Sequence, residues 1–97
     1  MFEVTQIVPH ASIMDRYNLE AIGYEVEAEL GRAAKHPPFT SAHEGYAVIL
    51  EELDELKAHV WRRQGSRNVA AMRAEAIQLT AMGVKFIQML DATGGQK

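Results

Sequence analysis

Val69-Ala70-Ala71-Met72-Arg73-Ala74-Glu75-Ala76-Ile77-Gln78-Leu79-Thr80-Ala81-Met82-Gly83-Val84-Lys85-Phe86-Ile87-Gln88-Met89-Leu90 is the stretch that decides the fold. Met72, Leu79, Met82 and Phe86 fall at helical spacing on one stripe, and Ile77, Ala81, Val84 and Ile87 cover much of another. Asn68 is a predicted N-cap for this helix, and Gly94-Gly95 marks the tail beyond it. A helix that is apolar on two sides is normally buried. A short chain cannot easily cover both sides from within, so self-association is expected.

Working back from Asn68, Gly65 and Ser66 interrupt the pattern. Before them Tyr46, Ile49, Leu53, Leu56 and Val60 predict the core face of a second helix, opened by a capping box at Ser41-Ala42-His43-Glu44. Pro37 and Pro38 close a first helix, because the residue before proline is driven out of the helical region. Ser12-Ile13-Met14-Asp15 reads as the capping box that opens it. Ile13, Tyr17, Ala21, Tyr24 and Ala28 form one of its stripes, and Leu19, Ile22, Val26, Leu30 and Ala33 the other. Residues 2–8 partly alternate apolar and polar, as a short strand or extended arm does. The expected organisation is an N-terminal arm over 1–11, one all-α domain over 12–92 with three main helices, and a tail over 93–97.

The chain has 97 residues, 47% of them hydrophobic and 24% charged, with a formal charge of −3. That size fits one small domain. The acidic balance argues against a nucleic-acid binder, which shows a basic stripe, and the third helix carries only Arg73 and Lys85. There is no cysteine, so disulfides and thiolate metal sites are excluded. No apolar run has the length of a membrane span and no signal-peptide layout is visible, which predicts a cytoplasmic protein.

Acidic residues carry the functional signal. In Glu51-Glu52-Leu53-Asp54-Glu55, Glu51 and Glu52 each lie one turn from Glu55, and every such like-charge pair costs roughly 0.2–0.5 kcal/mol on a helix. Glu75 is more unusual, because Met72, Leu79, Met82 and Phe86 place it inside a core stripe. A buried carboxylate must be paired or must coordinate a metal. Mg²⁺ takes a few carboxylates together with waters and substrate phosphates, so Glu52, Glu55 and Glu75 are candidate ligands. Gln78, one turn beyond Glu75, can offer a neutral oxygen. Asp54 reads as solvated, Glu44 as a capping residue, and Arg62 and Arg63 as cations complementing a helix C-terminus. His43 and His59, sixteen residues apart, lack the i, i+4 partner of a helical zinc site.

A Glu-Glu-x-x-Glu block followed on the next helix by Glu-x-x-Asp is the hallmark of the MazG-like all-α nucleoside triphosphate pyrophosphohydrolases, and the chain resembles that family. The blocks here are Glu51-Glu52-Leu53-Asp54-Glu55 and Glu75-Ala76-Ile77-Gln78, separated by the 19 residues 56–74. The stretch Lys35-His36-Pro37-Pro38-Phe39-Thr40-Ser41-Ala42-His43-Glu44-Gly45-Tyr46 is similar to a small phage and bacterial branch of the group.

The resemblance, over about residues 17–90, implies an oligomeric helical bundle of the all-α NTP pyrophosphatase type, a homodimer or homotetramer. It implies Mg²⁺, with Mn²⁺ as a substitute, held by Glu52, Glu55, Glu75 and the position of Gln78, where the family usually has aspartate. Glu51 or Glu55 would accept a proton, and Lys35 would contact phosphate. The implied reaction hydrolyses a ribo- or deoxyribonucleoside triphosphate to monophosphate and pyrophosphate. The competing expectation is a non-catalytic oligomerising module with a degenerate metal site. A di-iron bundle is disfavoured, since Glu-x-x-His is absent after both Glu55 and Glu75.

Overall fold

The structure, a computed structural model, describes residues 9–93. Every regular element among them is helical: α1 (His10–Tyr17), α2 (Leu19–Ala33), α3 (Ala42–Val60) and α4 (Val69–Ala92), with a 3₁₀ turn at Gln64–Ser66. The expected strand or arm over residues 2–8 lies outside the described residues. None of the described helices is long and apolar enough to cross a membrane.

Four helices replace the expected three because the first is broken at Asn18. This residue adopts the left-handed conformation, φ 54°, and its backbone N–H turns back to Asp15 O at 3.3 Å. Asparagine tolerates that region better than other residues with a Cβ. Its own carbonyl then accepts the N–H of Ile22 at 3.1 Å, starting α2. The predicted capping box at Ser12 is not used either. Pro9 caps α1, its carbonyl accepting the N–H groups of Ser12 and Ile13, so the helix begins at His10, within the stretch expected to be an arm. Proline supplies the right conformation there without needing a donor.

The other two starts follow the sequence closely. Ser41 Oγ accepts the N–H of Glu44 at 3.1 Å, and Asn68 Oδ1 accepts that of Ala71 at 3.0 Å. Glu44 reaches one residue further back than a standard capping box, accepting from the Thr40 N–H at 2.7 Å and its hydroxyl at 3.1 Å. Those bonds hold the Glu44 carboxyl below its ordinary range. Cap and loop residues thus tie the proline-containing connection to the first turn of α3.

Helix α4 packs against both α2 and α3, whereas α1 meets only α2. The core consists of Val26, Phe39, Ala81, Met82 and Met89, with Ile22, Leu30, Val48, Ile49, Ile77 and Phe86 packed around it. Ala81 is wholly enclosed, its small side chain letting the helices come close. Phe39 inserts from the loop before α3, and the Lys85 ammonium lies 4.4 Å from the centre of its ring.

The face of α3 that meets α4 overlaps the predicted one at Ile49, Leu56 and Val60, all half-buried, but is shifted from it elsewhere. Tyr46 and Leu53 are exposed, while Gly45, Val48, Ile49 and Glu52 turn inward. The cause is Gly45. A Cβ there would collide with the Phe86 ring, 2.8 Å from Cε1 and still closer to Cδ1, and would stand 3.1 Å from Phe39. Glycine's missing side chain is the hole that Phe86 fills. On α4, Val84 and Ile87 also face outward rather than covering an internal surface.

Gly45→Ala is expected to lower stability. Alanine favours a helix by about 0.8–1.0 kcal/mol over glycine, but overpacking typically costs 1–3 kcal/mol. A net loss in thermal or urea unfolding checks the assignment; a gain would mean that Phe86 moves aside freely.

Candidate metal centre

The face that α3 turns towards α4 gives Glu52 its position. It follows Val48 by four residues and Ile49 by three, so it shares the face that meets α4, and it is half-buried. Glu55, three residues on, stands at the exposed edge of the same surface. Glu75 approaches from α4, between Met72 and Leu79, and is also half-buried. Each of the three offers a carboxylate oxygen within 4.8 Å of the other two.

The centre is short of partners. Glu52 Oε2 and Glu75 Oε2 are both enclosed, and neither has a hydrogen-bond partner among the described residues. Buried polar atoms are normally satisfied, and an unpaired charge is the costliest exception. The electrostatics agree. Burial pushes the Glu52 carboxyl above its ordinary range, followed by the negative charges of Glu55, Glu75, Glu29 and Glu51. Burial does the same to Glu75, with Glu55 adding to the rise and His59 opposing it.

Of the remaining sequence candidates, Glu51, Asp54 and Gln78 share the helices of this trio, whereas Lys35 is not brought to it. Glu51 and Asp54 are exposed on α3. Gln78 is half-buried and lines a groove between α2 and α4. Lys35 is exposed in the turn after α2 and does not line that groove. His59, set aside as a zinc ligand, sits one turn beyond Glu55, where its charge is felt by Glu75.

Glu29 of α2 is the residue that sequence reasoning missed. Its charge raises both Glu52 and Glu75, and its side chain is only 19% exposed. The signal was available, because Ile22, Val26, Glu29 and Ala33 share one helical stripe. Applied to α2, the test that singled out Glu75 finds Glu29. Unlike Glu75 it is partnered, accepting from Arg32 Nη2 at 2.6 Å and Nε at 3.1 Å.

An all-oxygen set of carboxylates with enclosed, unbonded atoms has the donor chemistry of a hard divalent cation. Glu52, Glu55 and Glu75 fit that role, with Gln78 as a neutral oxygen nearby. Without a cation, the carboxyls raised by burial contribute most stability below their ordinary value of 4.5, and lose it as the pH rises through their raised values.

Glu75→Gln should therefore stabilise the metal-free protein at pH 7 by about 0.5–2 kcal/mol, the size common for a single stabilising substitution. The gain should shrink as the pH is lowered towards 4.5. Chemical denaturation in EDTA across that range checks both statements; destabilisation at pH 7 would show that Glu75 has a stabilising partner. Comparison of the chain with family models, with curated proteins and with solved structures found no match.

Proposed function

We propose that the chain is a Mg²⁺-dependent nucleoside triphosphate pyrophosphohydrolase, releasing pyrophosphate and a nucleoside monophosphate. The observation that carries the reading is the pair of enclosed, unbonded oxygens of Glu52 and Glu75 within reach of Glu55. Two carboxylates that each keep an enclosed, unbonded oxygen on the packed faces of neighbouring helices are a folding cost, and such costs mark functional sites.

Glu52, Glu55 and Glu75 would hold the ion, with Gln78 contributing a neutral oxygen. When bound, Mg²⁺ supplies charge neutralisation for the phosphates and acidifies water. The protein's own part is to position the phosphates and to take up a proton. Glu55 faces solvent at the edge of the centre, with Glu51 one turn away, and either carboxylate can receive the proton lost by the attacking water. Lys35, exposed in the turn after α2, carries the cation that the resemblance assigns to phosphate. Positioning and charge neutralisation dominate catalysis in reactions of this type.

A homodimer or homotetramer belongs to the same reading. Tyr46, Leu50 and Leu53 make an exposed stripe on α3, and Ile87 of α4 is 58% exposed. Apolar side chains left exposed in a stripe along one helix favour an association surface. They also favour the alternative, an oligomerising module whose metal site is degenerate because glutamine stands at position 78.

Two measurements separate these readings. Pyrophosphate release from a panel of NTPs and dNTPs should require Mg²⁺ or Mn²⁺ and stop in EDTA, and Glu55→Gln should lower kcat by about 10²–10⁴-fold with helicity intact. Saturating Mg²⁺ should also raise Tm, since a ligand at 100 times its Kd adds about 2.7 kcal/mol. A rise in Tm without turnover would leave a metal-binding module. Neither response would leave only the oligomerising one.

A further inference from the structure

Beside the acidic centre, α2 and α4 are parted by a groove of about 560 Å³. Glu25, Glu29 and Arg32 line it from α2, and Arg73 and Gln78 from α4. Gln78 and Ala74 join the groove to the centre, since both line it and lie on either side of Glu75 on α4, Gln78 one turn beyond it. Both guanidiniums in the groove are held by carboxylates. Arg73 makes a two-pronged pair across the helices, Nη1 to Glu25 Oε1 at 2.6 Å and Nη2 to Glu25 Oε2 at 2.5 Å. Arg32 donates Nη2 and Nε to Glu29 Oε1 within its own helix.

These pairs are poorly protected. The Arg73 and Glu25 side chains are 51% and 45% exposed, and the Arg32 side chain 67%. Exposed ion pairs are weak. The guanidinium fork that fits a carboxylate also fits two phosphate oxygens, which carry more charge. Two arginines lining a groove that opens beside three carboxylates are placed for a ligand whose phosphates meet arginine at one end and a cation at the other.

We infer that this groove is the polyphosphate subsite, in which Arg73, with Arg32 beside it, exchanges its carboxylate partner for phosphate oxygens of the bound ligand. The inference rests on the reading of the acidic centre as a phosphate-processing site. Glu25 and Glu29 act as placeholders that keep the guanidiniums aimed into the groove until phosphate arrives. No bond is made or broken in the exchange; only ion-pair partners change.

The test is calorimetric titration with inorganic triphosphate in EDTA, repeated with a nucleoside triphosphate, on the wild type, Arg73→Ala and Glu25→Gln. Arg73→Ala should lose at least tenfold in affinity for both probes. Glu25→Gln, which frees the guanidinium, should gain severalfold. Both variants destroy the same ion pair, so a purely structural role for that pair would move them in the same direction and overturn the proposal. So would absence of triphosphate binding by the wild type at millimolar concentration, or a loss confined to the nucleotide, which would put the base in the groove. Should Arg73→Ala not fold, Arg73→Lys keeps the charge without the fork, and an unchanged affinity there overturns it. The EDTA titration needs neither metal nor turnover. Triphosphate binding that depends on Arg73, in a protein releasing no pyrophosphate, would sustain the groove and sink the hydrolase. Pyrophosphate release with KM unchanged in Arg73→Ala would do the reverse.

Discussion

The close packing of α4 against α3 holds Ala81 out of solvent and, six residues earlier on the same helix, presses Glu75 against Glu52 and Glu55. Both outcomes depend on how near the two backbones come. Gly45 leaves the space that Phe86 enters, and Phe39 closes the same pocket from the loop before α3. With that register set, Val48, Ile49 and Glu52 must all face α4. The apolar pair gains from being there. The carboxylate does not, because removal from water disfavours its charged form. The fold therefore imposes on Glu52 and Glu75 an environment that neither would choose.

Five of the carboxylates, Glu25, Glu29, Glu44, Glu52 and Glu75, fall into two classes. Glu25, Glu29 and Glu44 have donors, and Glu25 and Glu44 lie below their ordinary range because of them, Arg73 in one case and Thr40 in the other. Glu52 and Glu75 have enclosed oxygens without donors and lie above it. Glu29, largely covered itself, takes Arg32, while an enclosed oxygen of Glu52 and another of Glu75 close by take no donor, so the chain has not simply run out of arginine. Arg32 and Arg73 stand beside the centre and are bonded to other acids. This separation within one small region is the strongest physical reason to treat Glu52 and Glu75 as a site rather than as a solvated acidic face.

Much of this was legible in the sequence, and the failures have identifiable causes. Ser41 and Asn68 as helix starts follow from local side-chain chemistry, which does not depend on the rest of the fold. Glu75 among Met72, Leu79 and Met82 was readable because one helical period suffices to place it. The break at Asn18 was hidden, because asparagine within an otherwise periodic stretch carries no obligatory signal. The face of α3 was only partly readable because glycine contributes nothing to an apolar pattern, yet Gly45 is where Phe86 and Phe39 close in. Helical spacing put Ile49, Leu56 and Val60 on the covered side, where they are half-buried, but it also included Tyr46 and Leu53, which lie outside. Arg32 and Arg73 could not be assigned to one groove from spacing, since that depends on how α2 and α4 lie against each other.

The left-handed residue at Asn18 has a consequence for the order in which the molecule comes apart. Helix α1 is joined to α2 through that single corner, contributes no buried residue, and touches neither α3 nor α4. Its amide hydrogens are shielded only by its own short ladder and one neighbour, so it forms a separate low-energy opening unit. Helices α2, α3 and α4 share the enclosed side chains of the core. The protein thus has an outer layer that can unzip and reclose without disturbing the register that keeps the three carboxylates within reach of one another.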